Sequence, residues 1–172
     1  MTARTGALQR RAVWALGLSL CSVAGPALAG TCSVSSSGLV FGLYQPLSFP
    51  GKLTSSNVAS TASVSVVCSG IVTGGSYTIS AGAGNYGPGN RISVRYLANA
   101  SGGPLMAYNV WTDASYTTVW GDGSVGSLIG GSITAGNSNQ SHTVYGSIPA
   151  GQNTLKAGIF SDSLTMTLTY NP

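Results

Sequence analysis

The sequence predicts an all-β fold of two packed sheets, and three observations carry that prediction. No stretch repeats apolar residues at the spacing of an amphipathic helix. Short runs of alternating apolar and polar residues recur instead, bounded by Gly, Asn and Ser. Glycine supplies 25 of the 172 residues and hydrophobic residues 43%, so the chain carries both the turns and the core that a sandwich needs.

In chain order, the first apolar piece is Val40 to Tyr44, which reads as a strand. Thr61 to Cys68 alternates cleanly and ends on a cysteine. Ser76 to Ser80 follows a Gly74-Gly75 turn, and Arg91 to Tyr96 follows a glycine-rich stretch from Gly82 to Asn90. Leu105 to Trp111 comes after Gly102-Gly103-Pro104, and Thr117 to Trp120 leads into Gly121-Asp122-Gly123. Thr143 to Ile148 succeeds a polar Gly/Ser/Asn stretch. The last strand has the clearest pattern: Leu164, Met166, Leu168 and Tyr170 point to one face, and Ser163, Thr165, Thr167 and Thr169 to the other. Seven or eight such segments imply a sandwich. Its exposed faces carry Ser and Thr rather than charges, so the sheet edges lack the usual Lys and Pro blockers and can accept a strand from another chain.

The amino terminus reads as an export signal over residues 1–29. Arg4, Arg10 and Arg11 precede an apolar run from Ala12 to Leu20, then a Gly25-Pro26 break and the small-residue site Ala27-Leu28-Ala29. The apolar run is too short to span a membrane. The cut falls before Gly30, leaving one domain over residues 30–172. The remaining Lys52, Lys156, Arg91 and Arg95 stand against Asp113, Asp122 and Asp162, so the formal charge drops from +4 to +1. Nucleic acid is not an expected partner, since the mature sequence has no basic cluster. The mature chain carries no membrane span.

Export also frames the cysteines. Cys21 leaves with the signal, and Cys32 and Cys68 are expected to pair as a disulfide. Two rival readings fit less well. A lipoprotein signal needs a small residue directly before the cysteine, where Thr31 stands, and a metal pair needs more ligands nearby. No metal or cofactor is expected.

Charged residues make up only 6% of the chain, there is no Glu, and His142 is the single imidazole. Most enzyme mechanisms lack their acid–base parts here, and no catalytic residue is assigned. Asp113, Asp122 and Asp162 read as turn-shaping residues. Trp120, beside Gly121-Asp122-Gly123, reads as a strand-capping core residue ahead of a ligand platform. His142 lies in a polar stretch and reads as solvated. Arg91 and Arg95 share one face of a strand, where they read as covering an edge or lying over apolar surface ahead of binding anionic sugars. Tyr86, in Gly84-Asn85-Tyr86-Gly87-Pro88-Gly89, is the candidate for an exposed loop contact.

An ordered set of short motifs resembles the spore coat protein U family, which includes subunits of archaic chaperone–usher pili. The set begins with Cys32 and Phe41-Gly42-Leu43-Tyr44-Gln45-Pro46, and passes through Val64 to Cys68. It continues with Tyr108-Asn109-Val110-Trp111-Thr112-Asp113 and Val119-Trp120-Gly121-Asp122-Gly123. It closes with Val144 to Gln152 and Phe160-Ser161-Asp162.

The resemblance implies an immunoglobulin-like Greek-key sandwich lacking its last strand. It further implies a structural or adhesive subunit of a cell-surface fibre, with a periplasmic chaperone, an usher and other pilus subunits as partners. Such a protein passes through the periplasm to the cell surface or the medium. Its acceptor groove for a partner's strand would lie along Leu164, Met166, Leu168 and Tyr170. Only Gly30 and Thr31 precede Cys32 after cleavage, so the chain is expected to receive a strand and not to give one. Two other readings fit the same residues: a stand-alone coat or matrix protein whose residues 32–40 fold back into the groove, and a carbohydrate-binding module.

Overall fold

Alternation becomes architecture in the computed structural model, which describes residues 30–51, 54–89 and 91–172. The export signal expected over residues 1–29 lies outside them. Nine strands form. They are β1 (Thr31–Ser36), β2 (Val58–Ile71), β3 (Gly75–Ala81), β4 (Arg95–Asn99), β5 (Met106–Trp111), β6 (Ile129–Ile133), β7 (Gly136–Ile148), β8 (Phe160–Ser161) and β9 (Met166–Asn171). One sheet has six strands in the order β1-β2-β7-β5-β4-β8, and the other has three in the order β6-β3-β9. The strand pairs are antiparallel, and sequence-distant strands lie side by side, β2 with β7 and β3 with β9. This is an immunoglobulin-like sandwich with Greek-key crossovers.

The inward face of each strand builds the core. Val64, Val66, Tyr77, Ile79, Val110, Val144 and Ile148 are all essentially inaccessible to solvent. Burying each such aliphatic side chain is worth about 1.5–3 kcal/mol, so the short alternating runs together carry the fold.

Several expected strands shift. The Val40–Tyr44 piece is not a strand. Gly38 and Gly42 take left-handed φ values of 75° and 71°, which breaks the pleat on both sides. The Val40 backbone is held by one side chain instead: its N–H donates to Ser60 Oγ at 3.1 Å and its carbonyl accepts from the same hydroxyl at 2.9 Å. The strand expected from Arg91 begins only at Arg95, and β2 and β7 run longer than their apolar cores.

Cys32 and Cys68 are bonded, and they are direct partners in the β1–β2 register. The bond therefore pins a serine-rich edge strand to the longest strand of the sheet. His142 also departs from expectation. It lies on β7, half-buried, with Nε2 2.6 Å from the hydroxyl of the buried Tyr77 on β3. That contact links the two sheets, and burial pushes the His142 pKa down.

Replacing both Cys32 and Cys68 by Ala should lower stability by about 3–4 kcal/mol in the chain-entropy picture of a closed loop. Urea unfolding of the pure domain measures this, and an unchanged midpoint would contradict it. The His142 shift makes a second prediction. Its folded pKa lies below the ordinary 6.5, so the fold holds the neutral ring. That stabilisation is complete above 6.5 and is lost as pH falls through the lower folded value. The urea midpoint should fall between about pH 7.5 and about pH 5, and the fall should shrink in His142→Gln. Equal falls in both proteins would sink the assignment.

Candidate functional site

Between the two sheets the sandwich is open along one seam. A groove of about 970 Å³ runs there, floored by the inward side chains Ala62, Leu97, Met106, Tyr108, Val110, Trp120, Val144 and Ile148. One wall is the irregular segment of residues 38–47, and the other is residues 155–162 with Leu164 and Met166. The rim is apolar: Val40 is 81% exposed, Leu43 92% and Ile159 80%.

The first wall sits where a missing side chain lets it. A Cβ on Gly146 of β7 would meet Leu39 Cδ1 at 2.7 Å and Phe41 Cζ at 2.8 Å. With hydrogen there instead, both residues pack onto the sheet, and Phe41 meets Tyr108 edge-on with centroids 6.0 Å apart. Tyr44 closes this wall: its hydroxyl donates to the Pro149 carbonyl at 2.8 Å and accepts from the Gln152 N–H at 3.1 Å.

The second wall hangs from β4 and β5. Phe160 and Ser161 pair with Asn99 and Ala98. The Asn99 amide donates to the carbonyls of Lys156 and Ala157. Asp162 is more than a turn residue. It accepts from the Tyr108 hydroxyl at 2.7 Å and from the Asn85 N–H at 2.8 Å, tying wall to floor. Burial, then the bond to Asp162, drives the Tyr108 pKa up, so the phenol stays protonated.

Beneath this end of the groove lies a buried cation. Arg95 was expected to cover an edge; it is fully buried instead. Its guanidinium donates to Asn109 Oδ1 at 2.6 Å, Trp120 O at 2.7 Å, Gly82 O at 2.8 Å and Ala81 O at 3.3 Å. Burial pulls its pKa down, and the nearby Asp162 carboxylate opposes that pull. Trp120 is 3% exposed, and its indole N–H donates to Ile79 O, so it is a core residue and not a platform.

The four residues expected along the groove divide into two pairs. Leu164 and Met166 line the cavity. Leu168 and Tyr170 are half-buried against the core beyond it, where β1 comes close to β9. The Tyr170 hydroxyl donates to Thr73 O at 3.0 Å. β9 is the edge strand of its sheet, paired with β3 on one side only among the described residues. Leu39, Phe41, Leu155 and Phe160 complete the apolar lining, and the final strand's alternation gave no sign of them. Tyr86 sits on its loop, 42% exposed and outside the groove. Among the described residues no cluster of three or more His, Cys, Asp or Glu could hold a metal ion. No helix there is long and apolar enough to cross a membrane.

Fold and groove together define an immunoglobulin-like sandwich open along one apolar seam. The model of the Spore Coat Protein U domain matches residues 18–167, and the chain belongs to that family. No curated protein matches it. Among solved structures it is similar to a chain in the CsuC–CsuE chaperone–tip adhesion subunit pre-assembly complex from archaic chaperone–usher Csu pili of Acinetobacter baumannii. Identity there is 19% and the TM-score 0.48, over 81% of this chain and 40% of that one.

Replacing Arg95 with Met should cost about 3 kcal/mol or more, because it strands several buried oxygens at once. Arg95→Lys should recover only part, since one ammonium cannot reach acceptors spread over a planar fork. Urea unfolding of the three proteins tests the order, and a Met variant as stable as the parent would refute it.

Proposed function

We propose that the protein is an exported structural or adhesive subunit of a chaperone–usher fibre. In this reading the seam groove takes a strand first from a periplasmic chaperone and then from a neighbouring subunit. The observation that carries the proposal is the open, apolar groove beside the unpaired edge of β9, in a chain of the Spore Coat Protein U family.

A strand entering the seam would add ladder hydrogen bonds along β9. Its alternate side chains would drop onto Met106, Val110 and Val144, each burial worth about 1.5–3 kcal/mol. The stand-alone reading requires residues 32–40 to fill the groove. β1 pairs with β2, and Leu39 and Phe41 form a wall with about 970 Å³ still open, which favours an external strand. β1 is thereby engaged as part of the sheet. Transit through the periplasm to the surface, and an usher as partner, belong to the same proposal.

Fusing a short alternating apolar–polar strand to the C-terminus through a flexible linker tests it. An intramolecular strand avoids most of the association cost. The fused protein should unfold several kcal/mol later than the parent and lose its tendency to aggregate. Met166→Asp, inside the groove, should remove the gain, while Thr167→Asp, on the outer face, should keep it. A parent that is monomeric and as stable as the fusion would hand the case to the stand-alone reading.

A further inference from the structure

On the opposite face of the six-stranded sheet lies a second concavity, of about 560 Å³. Strand register builds its floor. Ala59, Ser147 and Asn109 form one row across β2, β7 and β5, and Trp111 lines it from the next row, where it pairs with Tyr145. Trp111, Tyr116 and Val119 wall one side, and Ser93 and Asn57 stand at the others.

Tyr116 is held there by a fixed loop. The Asp113 carboxylate accepts from the N–H groups of Ser115, Thr117 and Thr118 and from the Thr117 hydroxyl. The Tyr116 ring meets Trp111 edge-on at 5.3 Å and Tyr145 at 6.4 Å. Its φ is 56°, a left-handed conformation that glycine or asparagine adopts at less cost. A bulky aromatic in such a conformation at a cavity wall points to a use for the ring itself.

We infer that this concavity is a binding site for a neutral saccharide, with Trp111 and Tyr116 packing on the apolar face of a sugar ring. Its size falls in the range of small-ligand sites. No Asp, Glu, Lys, Arg or His lines it, so a charged ligand would be desolvated without a partner. Ser93 and Ser147 line it, and Asn57 spends its oxygen on the Ala150 N–H, leaving its amide nitrogen for a ligand. A peptide strand has no place to pair, because β5 and β7 have neighbours on both sides. Its lining has only Tyr108 in common with that of the seam groove, so the rest of the site stays available when that groove is filled.

The test is titration of the purified full chain with maltotriose, cellotriose and triacetylchitotriose, followed by tryptophan emission, with sialyllactose as the charged control. At least one neutral sugar should give a saturable change, and sialyllactose should bind more weakly. Tyr116→Gly should raise Kd at least tenfold while the unfolding midpoint holds, since lost ring contacts are offset by relief at φ. Ala59→Phe, which fills the floor from the solvent side, should do the same and decides the matter if the glycine variant does not fold. A strand fused into the seam should leave Kd unchanged, which separates this site from the groove reading. Absence of saturable binding by all three sugars, affinity unmoved in both variants, preference for an oligoproline peptide, or self-association through Tyr116 would overturn the inference.

Discussion

The buried guanidinium of Arg95 is the interaction on which the grooved end of this sandwich depends. A cation out of water is tolerable only when its donors are met, and here they are met by oxygens from three separate segments: the end of β3, the β5 side chain Asn109 and the turn at Trp120. Those segments belong to both sheets. Asn109 passes the constraint on, donating to the carbonyls of Ile92 and Ser93 and accepting from the Val110 N–H. Tyr108, next to Asn109, carries it to Asp162 and so to the groove wall. No buried side-chain nitrogen or oxygen among the described residues is left without a partner. One cation thus sets the spacing of the sheets where the seam is open and apolar packing alone would let them close.

The two walls of the seam are built by different physics. The wall at residues 155–162 is held by polar contacts to β4 and β5. The wall at residues 38–47 rests on packing over Gly146, on the Ser60 clasp at Val40 and on the Tyr44 hydroxyl. Its φ breaks at Gly38 and Gly42 leave few backbone bonds to lose if it moves. Of the two, the 38–47 wall has the smaller local barrier to rearrangement, because few backbone hydrogen bonds anchor it.

Legibility followed the same division. Where strand residues alternate toward a core, as in Thr61–Cys68, Ser76–Ser80 and Leu164–Tyr170, period-2 reading located the element. β1 and β6 escaped it because Ser33, Ser35 and Ser36 in one and Gly130, Gly131 and Ser132 in the other hide the pattern; both are short strands paired on one side only. Val40–Tyr44 misled for the reverse reason, being apolar without being pleated. Within the candidate site, Leu164 and Met166 were readable from the last strand alone. Leu39, Phe41, Leu155 and Phe160 were not, because only tertiary folding brings two irregular segments against one sheet. Arg95 was the largest miss: a lone cation on a strand reads as surface, and its four acceptors are backbone or amide oxygens with no signature in sequence.

The near absence of surface charge then takes on a physical meaning. A sandwich with a free edge ordinarily blunts it with Lys or inward-facing charges. Among the described residues, the only charged ones lining the groove are Lys156 and Asp162, and Asp162 is already committed to Tyr108 and Asn85. The rim side chains Val40, Leu43 and Ile159 stay in solvent. An edge left this undefended is a liability for a protein that must remain alone, and an advantage for one whose edge is covered as soon as it folds. In the proposed reading, the unguarded rim and the anchored 155–162 wall are two parts of one arrangement: the apolar surface would give an incoming strand its driving force, and the Arg95–Asn109–Tyr108–Asp162 chain would keep the space for it from collapsing.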